Sequence, residues 1–166
     1  MRIPRLSIGF PIYCAAAAAP AAIERILTQE FSDFELIISD NASIDATADI
    51  CAEYARLDDR IRFQRQAKNF GTNRNFEDVL ALARGALFMW TAHDDRFGHS
   101  FIRRCVEALT SFPDAVLAMS DIVIVDEDKG ETRIHPLSDD VGHSDPVRRV
   151  NWILSGAAWI DRKSVV

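Results

Sequence analysis

The sequence predicts an α/β protein with a mostly parallel sheet flanked by helices. Short apolar runs alternate with segments of helical periodicity up to about residue 112, and this alternation is typical of right-handed strand-helix-strand units. The chain has 166 residues, 48% of them hydrophobic, which is enough for a single domain with a substantial core. Past residue 114 a hairpin-like pattern replaces the alternation.

The first two strand and helix pairs occupy the first 57 residues. An uncharged apolar run predicts a strand at Leu6–Ile12, and an alanine-rich helix follows, with apolar residues between 23 and 27 at helical spacing. A second apolar run, 34–38, leads into a turn-rich loop. Asp45 closes that loop and can cap a helix over residues 46–57.

Two further pairs follow. Residues 61–65 alternate in polarity like a half-exposed strand. A helix is predicted over 73–83, with Gly85 just past its end, where glycine commonly terminates a helix. The apolar run 86–92 predicts a buried strand, and 100–112 predicts another helix. The core stripe of that helix is expected to consist of Phe101, Cys105, Leu109 and Phe112.

The last third of the chain has a different pattern. Residues 115–125 and 132–134 flank the turn residues Asp128-Lys129-Gly130, which predicts a β-hairpin or a bent ribbon. A polar, irregular segment comes next. A short helix near 147–154 and a final strand near 157–160 are expected to complete the fold.

Charge and cysteine content narrow the functional class. The chain has 19 basic and 25 acidic residues, a net charge of −6, and it contains no basic cluster, so we expect no nucleic-acid partner. Its three cysteines are odd in number and widely spaced. They suggest neither a disulfide framework nor a metal pattern, and a reducing, cytoplasmic location is expected.

The uncharged segment 6–23 raises the alternative of a secretory signal peptide, because Arg2 and Arg5 precede it. Gly9 and Pro11 interrupt its apolar core, and alanine is only weakly hydrophobic. The same weak hydrophobicity disfavours a transmembrane helix. We therefore expect this segment to be part of the fold.

The most informative motif is His93-Asp94-Asp95, which follows the buried strand predicted over 86–92. Open α/β sheets bind ligands at the carboxyl ends of their strands. Adjacent carboxylates there can hold a divalent cation such as Mg²⁺ and share it with the phosphates of a substrate. The alternative is that Asp94 and Asp95 cap the next helix or face solvent from a loop.

Two other polar segments, Pro11-Ile12-Tyr13 and Asp40-Asn41, also end predicted strands, so one sheet edge should gather all three. The Asp40 carboxylate can accept a hydrogen bond from the N–H of a uracil, thymine or guanine base. It can equally bond its own backbone in a turn. Arg74 has a similar alternative as a solvated residue in the first turn of a helix.

Four segments, in this order, resemble the nucleotide-binding half of family 2 glycosyltransferases, which have the GT-A fold. They are Pro11-Ile12-Tyr13, 31–43, Asn69-Phe70-Gly71 with Arg74-Asn75, and His93-Asp94-Asp95. The resemblance implies a hexosyltransferase-type enzyme, typically inverting, that uses Mg²⁺ or Mn²⁺ to transfer a sugar from a nucleotide-diphosphate sugar. It also implies a saccharide or lipid-linked acceptor, with possible peripheral membrane association.

Carried over to this sequence, the resemblance assigns site residues. The expected donor-binding residues are Pro11, Ile12, Tyr13, Asp40, Asn41, Asn69, Gly71, Arg74, His93 and Asp94. Within this set, Asp40 would bind the imide edge of the base, and Gly71 and Arg74 would lie against the nucleotide. Asp94 and Asp95 would form a DXD-like metal motif, with Asp95 coordinating the metal directly and His93 as its variable member.

The resemblance also bears on domain extent. It implies one GT-A-like domain over 1–166 without its acceptor and base region, and a general base beyond Val166. One rival function is a nucleotide-sugar-binding module without turnover. Another is a sugar-phosphate nucleotidyltransferase, which needs a glycine-rich, basic loop near the amino terminus, and Leu6–Ala19 lacks one.

Overall fold

The computed structural model describes residues 2–120, 122–126, 131–135 and 159–162. Their order confirms the α/β prediction, with four strand-helix pairs followed by a strand-rich region. The elements are β1 Leu6–Ile12, α1 Ala19–Leu27, β2 Phe34–Asp40, α2 Thr47–Leu57, β3 Ile61–Arg65, α3 Thr72–Ala81, β4 Leu87–Trp90, α4 Phe101–Ser111, β5 Leu117–Met119, β6 Ile122–Asp126, β7 Glu131–His135 and β8 Trp159–Arg162.

The main sheet has six strands in the order β3-β2-β1-β4-β8-β5. The first four are parallel, and β8 is antiparallel to both β4 and β5. Because β2 and β3 lie on one side of β1 while β4 lies on the other, the strand order reverses between β1 and β4. Such a reversal opens a crevice at the carboxyl ends of the strands.

Helices cover both faces of this sheet, which explains why every residue of β1 and β2 is buried. One face packs with α1, α2 and α4 around Phe10, Leu36 and Met89. On the other face, Val79 of α3 packs with Ile37 and Phe88. Both layers place apolar helix stripes on apolar strands, as the periodicity of the sequence predicts.

Four details differ from the sequence prediction. Helix α2 has Ala46 rather than Asp45 at its N-cap, although Oδ1 of Asp45 accepts the N–H of Thr47, the first residue of the helix, at 3.1 Å. Phe112 is 66% exposed, since α4 ends at Ser111 and its buried face is completed by Ile102 and Val106. The predicted hairpin is present as β6 and β7, but Leu117–Met119 leaves it to join the main sheet.

Gly85 is the fourth difference, because it does not terminate a helix. Helix α3 ends at Ala81, and Gly85 lies directly against β1. Its N–H donates to Ser7 Oγ at 2.8 Å. A Cβ at this position would lie 2.7 Å from the backbone nitrogen of Ser7. Glycine is therefore required by close approach between two backbones.

We expect Gly85→Ala to lower the free energy of unfolding by about 2 kcal/mol, because the backbone atoms it would meet cannot rotate away as side chains do. Urea denaturation measures this change. Gly98→Ala is the matched control, since a Cβ there meets nothing within 4 Å, and its expected change is within about 0.5 kcal/mol. Equal effects of the two substitutions would contradict the steric explanation.

The remaining predicted elements lie partly outside the described residues. The expected helix near 147–154 and the polar segment before it fall there. The final strand is present as β8, Trp159–Arg162, two residues later than predicted at its carboxyl end. Among the helices the structure describes, none is both long and apolar enough to cross a bilayer.

Candidate functional site at the carboxyl edge of the sheet

The carboxyl ends of β1, β2 and β3 lie side by side. Ile12 is aligned with Asp40, and Asp40 with Arg65. The N–H of Asn41 donates to the carbonyl oxygen of Ile12 at 2.9 Å, which extends the pairing past the strand ends. The N–H of Thr91 donates to the carbonyl oxygen of Gly9 at 3.0 Å and so ties the end of β4 to β1. The predicted gathering of polar strand ends at one edge is confirmed.

The loops after β1 and β2 are locked together. Cys14 and Ala42 both adopt positive φ angles, 47° and 58°, a conformation that costs free energy for residues other than glycine. Side chains of the second loop hold the first, because Ser43 Oγ accepts the N–H of Cys14 and Thr47 Oγ1 that of Ala15, both at 2.8 Å. These bonds hold the loop after β1, with its positive φ angle at Cys14, at the carboxyl edge of the sheet.

Asp45 completes this interlocking. Its Oδ2 accepts the N–H of Ala16 at 3.2 Å, and its Oδ1 accepts the Thr47 hydroxyl at 2.6 Å. The hydrogen bond from Thr47 holds the pKa of Asp45 below its usual value.

Within the expected triplet Pro11-Ile12-Tyr13, the first two residues are buried and Tyr13 is 44% exposed. Tyr13 is therefore the member of the triplet that presents its side chain to solvent.

Asp40 is fully buried, with a relative exposure of 0%. Both of its oxygens accept the backbone N–H of Ser43 at 3.2 Å, and Oδ1 also accepts the Ser43 hydroxyl. The guanidinium of Arg65 lies against it, with 3.3 Å between Nε and Oδ2. Sequence reasoning missed Arg65, although its position at the end of β3 follows the same strand-end rule as Asp40.

Asn41 fixes the loop between β3 and α3. Its Nδ2 donates to Asn69 Oδ1 at 3.0 Å and to the carbonyl oxygen of Gly71 at 3.2 Å. Its Oδ1 accepts the N–H of Phe70 at 2.9 Å. Gly71, with φ of 89°, begins α3 in a conformation that favours glycine. The structure thus brings Asn41, Asn69 and Gly71 together, and their mutual contacts position the start of α3.

Arg74 is directed along α3, where its Nε lies 2.9 Å from Asp78 Oδ1. Asp78 also accepts a hydrogen bond from Gln66 at 2.7 Å. These residues line an open groove of about 680 Å³ between β3 and α3. The ion pair with Asp78 places the guanidinium of Arg74 in this groove.

The His93-Asp94-Asp95 motif follows β4, as predicted. Asp95 is half-buried, and its Oδ2 accepts the N–H of Ala92 at 2.7 Å and the Thr91 hydroxyl at 3.3 Å. Asp94 is exposed and makes no hydrogen bond to the part of the chain that the structure describes. The carbonyl oxygen of His93 accepts a hydrogen bond from Arg25 at 3.4 Å. Helix α1 thus supports the motif, a contact the sequence pattern did not reveal.

The oxygen ligands available at this motif suit a hard divalent cation. Asp94 and Asp95 supply carboxylate oxygens at a solvent-accessible edge. No cluster of three or more histidine, cysteine, aspartate or glutamate residues able to hold a metal occurs within the described ranges. Mg²⁺ and Mn²⁺ suit oxygen ligands, and Mg²⁺ commonly takes one or two carboxylates and fills its other positions with water and substrate phosphate. The two aspartates match that arrangement.

Comparison with known proteins identifies a family and a relative of this chain. The family model described as glycosyl transferase family 2 matches residues 7–164. A GalNAc(5)-diNAcBac-PP-undecaprenol beta-1,3-glucosyltransferase of Campylobacter jejuni is 33% identical over 94 residues, 56% of this chain and 30% of that protein. The chain thus spans less than a third of this relative.

Two solved structures share the fold. A mannosyltransferase of Pyrobaculum calidifontis, in complex with GDP-Man and Mn²⁺, matches with a TM-score of 0.64 at 18% identity, covering 72% of this chain and 36% of that one. S. aureus TarS 1-349, in complex with UDP, matches with a TM-score of 0.61 at 17% identity, covering 73% and 34% respectively. The architecture is that of GT-A glycosyltransferases, and since the family model matches nearly the whole sequence, the chain belongs to glycosyltransferase family 2.

Proposed function

We propose that this chain binds a nucleotide-diphosphate sugar with the help of Mg²⁺ or Mn²⁺ and belongs to an inverting glycosyltransferase. One observation carries the proposal: Asp94 and Asp95 follow β4 at the same sheet edge where β1, β2 and β3 end. A crevice at a strand-order reversal, with paired carboxylates at its rim, suits a ligand that has a diphosphate at one end and a base at the other.

Different residues would contact different parts of the nucleotide-sugar donor. Asp94 and Asp95 would hold the metal, which when bound neutralises charge on the diphosphate leaving group. Tyr13 presents an exposed ring next to the end of β1, suitable for stacking against the nucleoside. Hydrogen bonds among Asn41, Asn69 and Gly71 position the start of α3, and the base would lie beside it. His93 supports the motif through its backbone, which α1 holds.

The acceptor is a separate part of the proposal. The Campylobacter relative is named for an undecaprenol-linked substrate, and we extend that class, a saccharide or lipid-linked acceptor, to this protein. An inverting transfer also needs a base that takes the proton of the acceptor hydroxyl.

Calorimetric titration of the chain with UDP and GDP, in Mn²⁺, Mg²⁺ or EDTA, tests donor binding. We expect at least one nucleotide to bind in the presence of metal and to bind at least about tenfold more weakly in EDTA, because the two carboxylates otherwise repel the diphosphate. UMP and GMP, which carry the same bases but a single phosphate, serve as the comparison ligands. Metal-independent binding, or no binding of either diphosphate, would contradict the proposal.

A further inference from the structure

We propose that Arg25, in the last turn of α1, is a positioning residue for the carboxylates of Asp94 and Asp95, and that it contributes to metal-dependent nucleotide binding rather than to folding. The inference rests on the proposed function, because it requires a divalent cation at these two residues. Its starting point is a contact to the residue directly before them. Arg25 Nη2 donates to the carbonyl oxygen of His93 at 3.4 Å.

The segment that carries the two carboxylates has no regular structure. Residues 91–100 connect β4 to α4 without a helix or a strand. Such a segment keeps its conformation through individual contacts, because it has no ladder of backbone hydrogen bonds. Asp95 is held by its own turn, since Oδ2 accepts the N–H of Ala92 at 2.7 Å. Asp94 is exposed and makes no hydrogen bond to the described part of the chain. The backbone before Asp94 therefore decides where its carboxylate lies.

Helix α1 and the residues just after it hold this segment at two places. Gln29 is buried, with its Nε2 donating to the carbonyl oxygen of Gly98 at 3.1 Å and its Oε1 accepting the N–H of Ile102, in the first turn of α4, at 3.4 Å. These contacts fix the part of the segment that leads into α4. Arg25 holds the other part, because its hydrogen bond reaches the motif itself at His93.

The side chain of Arg25 carries a cost that folding does not explain. Its Nε is buried and has no hydrogen-bond acceptor in the part of the chain that the structure describes. A guanidinium cannot lose its proton in a protein, so this buried N–H bears the full penalty of desolvation. A methionine, of similar length and without polar hydrogens, would avoid the penalty. A buried polar group that is left unsatisfied calls for an explanation other than stability.

The orientation of metal ligands supplies that explanation. Groups that orient the ligands without touching the metal typically change metal affinity by about tenfold to a hundredfold when they are replaced. A cation that has only two protein carboxylates depends strongly on the position of each. The hydrogen bond from Arg25 restrains the backbone next to Asp94, the carboxylate that has no other support among the described residues. Arg25 therefore fits the role of a positioning residue.

The test compares the unaltered chain with Arg25→Met and Arg25→Lys. Calorimetry with UDP or GDP, whichever binds more tightly, gives the affinity in Mn²⁺ divided by the affinity in EDTA, a ratio we call the metal gain. Arg25→Met should reduce the metal gain by about tenfold or more, because the backbone before Asp94 loses its restraint. The affinity in EDTA should stay within about threefold, since the metal ligands then play no part. Arg25→Lys, which still donates a hydrogen bond, should retain more of the metal gain than Arg25→Met.

Arg56→Met is the matched control. Arg56 also lies in the last turn of a helix, α2, and its side chain is 72% exposed. Both methionine substitutions therefore remove a favourable charge at the carboxyl end of a helix. Arg56→Met should leave the metal gain unchanged. In urea denaturation, the midpoint of Arg25→Met should be no lower than that of Arg56→Met, because Arg25→Met also removes a buried, unsatisfied donor.

The two measurements separate positioning from a merely structural role. A purely structural Arg25 would lower the urea midpoint when replaced and leave the metal gain intact. Either result, a midpoint of Arg25→Met below that of Arg56→Met or an undiminished metal gain, would overturn the inference while the proposed function stands. If the unaltered chain shows no metal gain, the proposed function fails and the inference fails with it.

Discussion

Asp95→Asn should weaken metal-dependent binding of nucleoside diphosphate by about a hundredfold or more. The substitution removes one of two carboxylates at the proposed metal site, and a cation with so few protein ligands depends strongly on each charge. The amide retains an oxygen that can still accept the N–H of Ala92, the contact that holds the turn at 2.7 Å. The loss should therefore appear in binding rather than in folding. Calorimetry in Mn²⁺ measures it, and urea denaturation checks stability.

Asp59→Asn is the matched control for this experiment. Asp59 is an exposed acid just before β3, at the amino end of that strand and so at the edge opposite the proposed site. Its replacement should leave nucleotide affinity within about twofold, since an exposed charge at that distance is largely screened. Unchanged affinity in Asp95→Asn would show that the carboxylate is only a turn-forming group, the alternative that the sequence leaves open.

The second large effect is expected for a substitution of Glu35, which lies near the amino end of β2 and therefore away from the proposed site. Glu35 lies in β2 with a side chain that is 3% exposed. Burial alone would raise the pKa of this carboxyl, but hydrogen bonds from Ser7, Arg84 and Arg62 outweigh burial and lower the pKa to about 2. From an ordinary value of 4.5, a shift of this size stabilises the folded state by about 3 kcal/mol when the carboxyl is ionised.

Glu35→Gln should accordingly lower the free energy of unfolding by about 3 kcal/mol at pH 7. Because the folded-state pKa is depressed, this contribution is fully present above about pH 4.5 and is lost as the pH falls toward 2. The difference between the variant and the unaltered chain should therefore shrink over that interval. Thermal or urea unfolding between pH 2 and 7 measures it.

Glu53→Gln provides the comparison for Glu35. Glu53 also pairs with an arginine, Arg56, but its side chain is 56% exposed. Exposed pairs are worth little, so the expected change is within about 0.5 kcal/mol at any pH. A pH-independent effect of Glu35→Gln would mean that the altered hydrogen bonds of the amide, rather than the lost charge, cause the destabilisation.

The order of elements could be predicted because periodicity is a local property of the sequence. The apolar runs of β1 and β4 and the stripe of α4 were each identified to within two residues at their amino ends. Errors arose where the deciding contact was distant in sequence. Leu117–Met119 has the character of a hairpin strand, but its pairing with β8 decides its place in the main sheet. Phe112 is a separate case, because the helical pattern continues through it although α4 ends at Ser111.

In the candidate site, too, local pattern predicted some features and contacts between distant segments decided others. The strand-end rule located Asp40, Asn41 and the acidic motif correctly, because it requires only strand ends and parallel order. It could not reveal that Arg65 covers Asp40 or that Arg74 pairs with Asp78, since long side chains choose partners from what packing brings within reach. The supporting contact from Arg25 to the motif likewise depends on how α1 packs beside β4.

By itself, the sequence determined the alternation of strands and helices, the membership of the chain in its family, and the position of Asp94 and Asp95 at a strand end, because each depends on local pattern. Only the tertiary structure decided that Gly85 is needed for contact with β1, that Glu35 is a buried ion-pair centre, and that Asp40 and Arg65 form one unit. The physical reason is that burial and hydrogen-bond pairing arise between segments far apart in the chain, where sequence spacing carries no distance information.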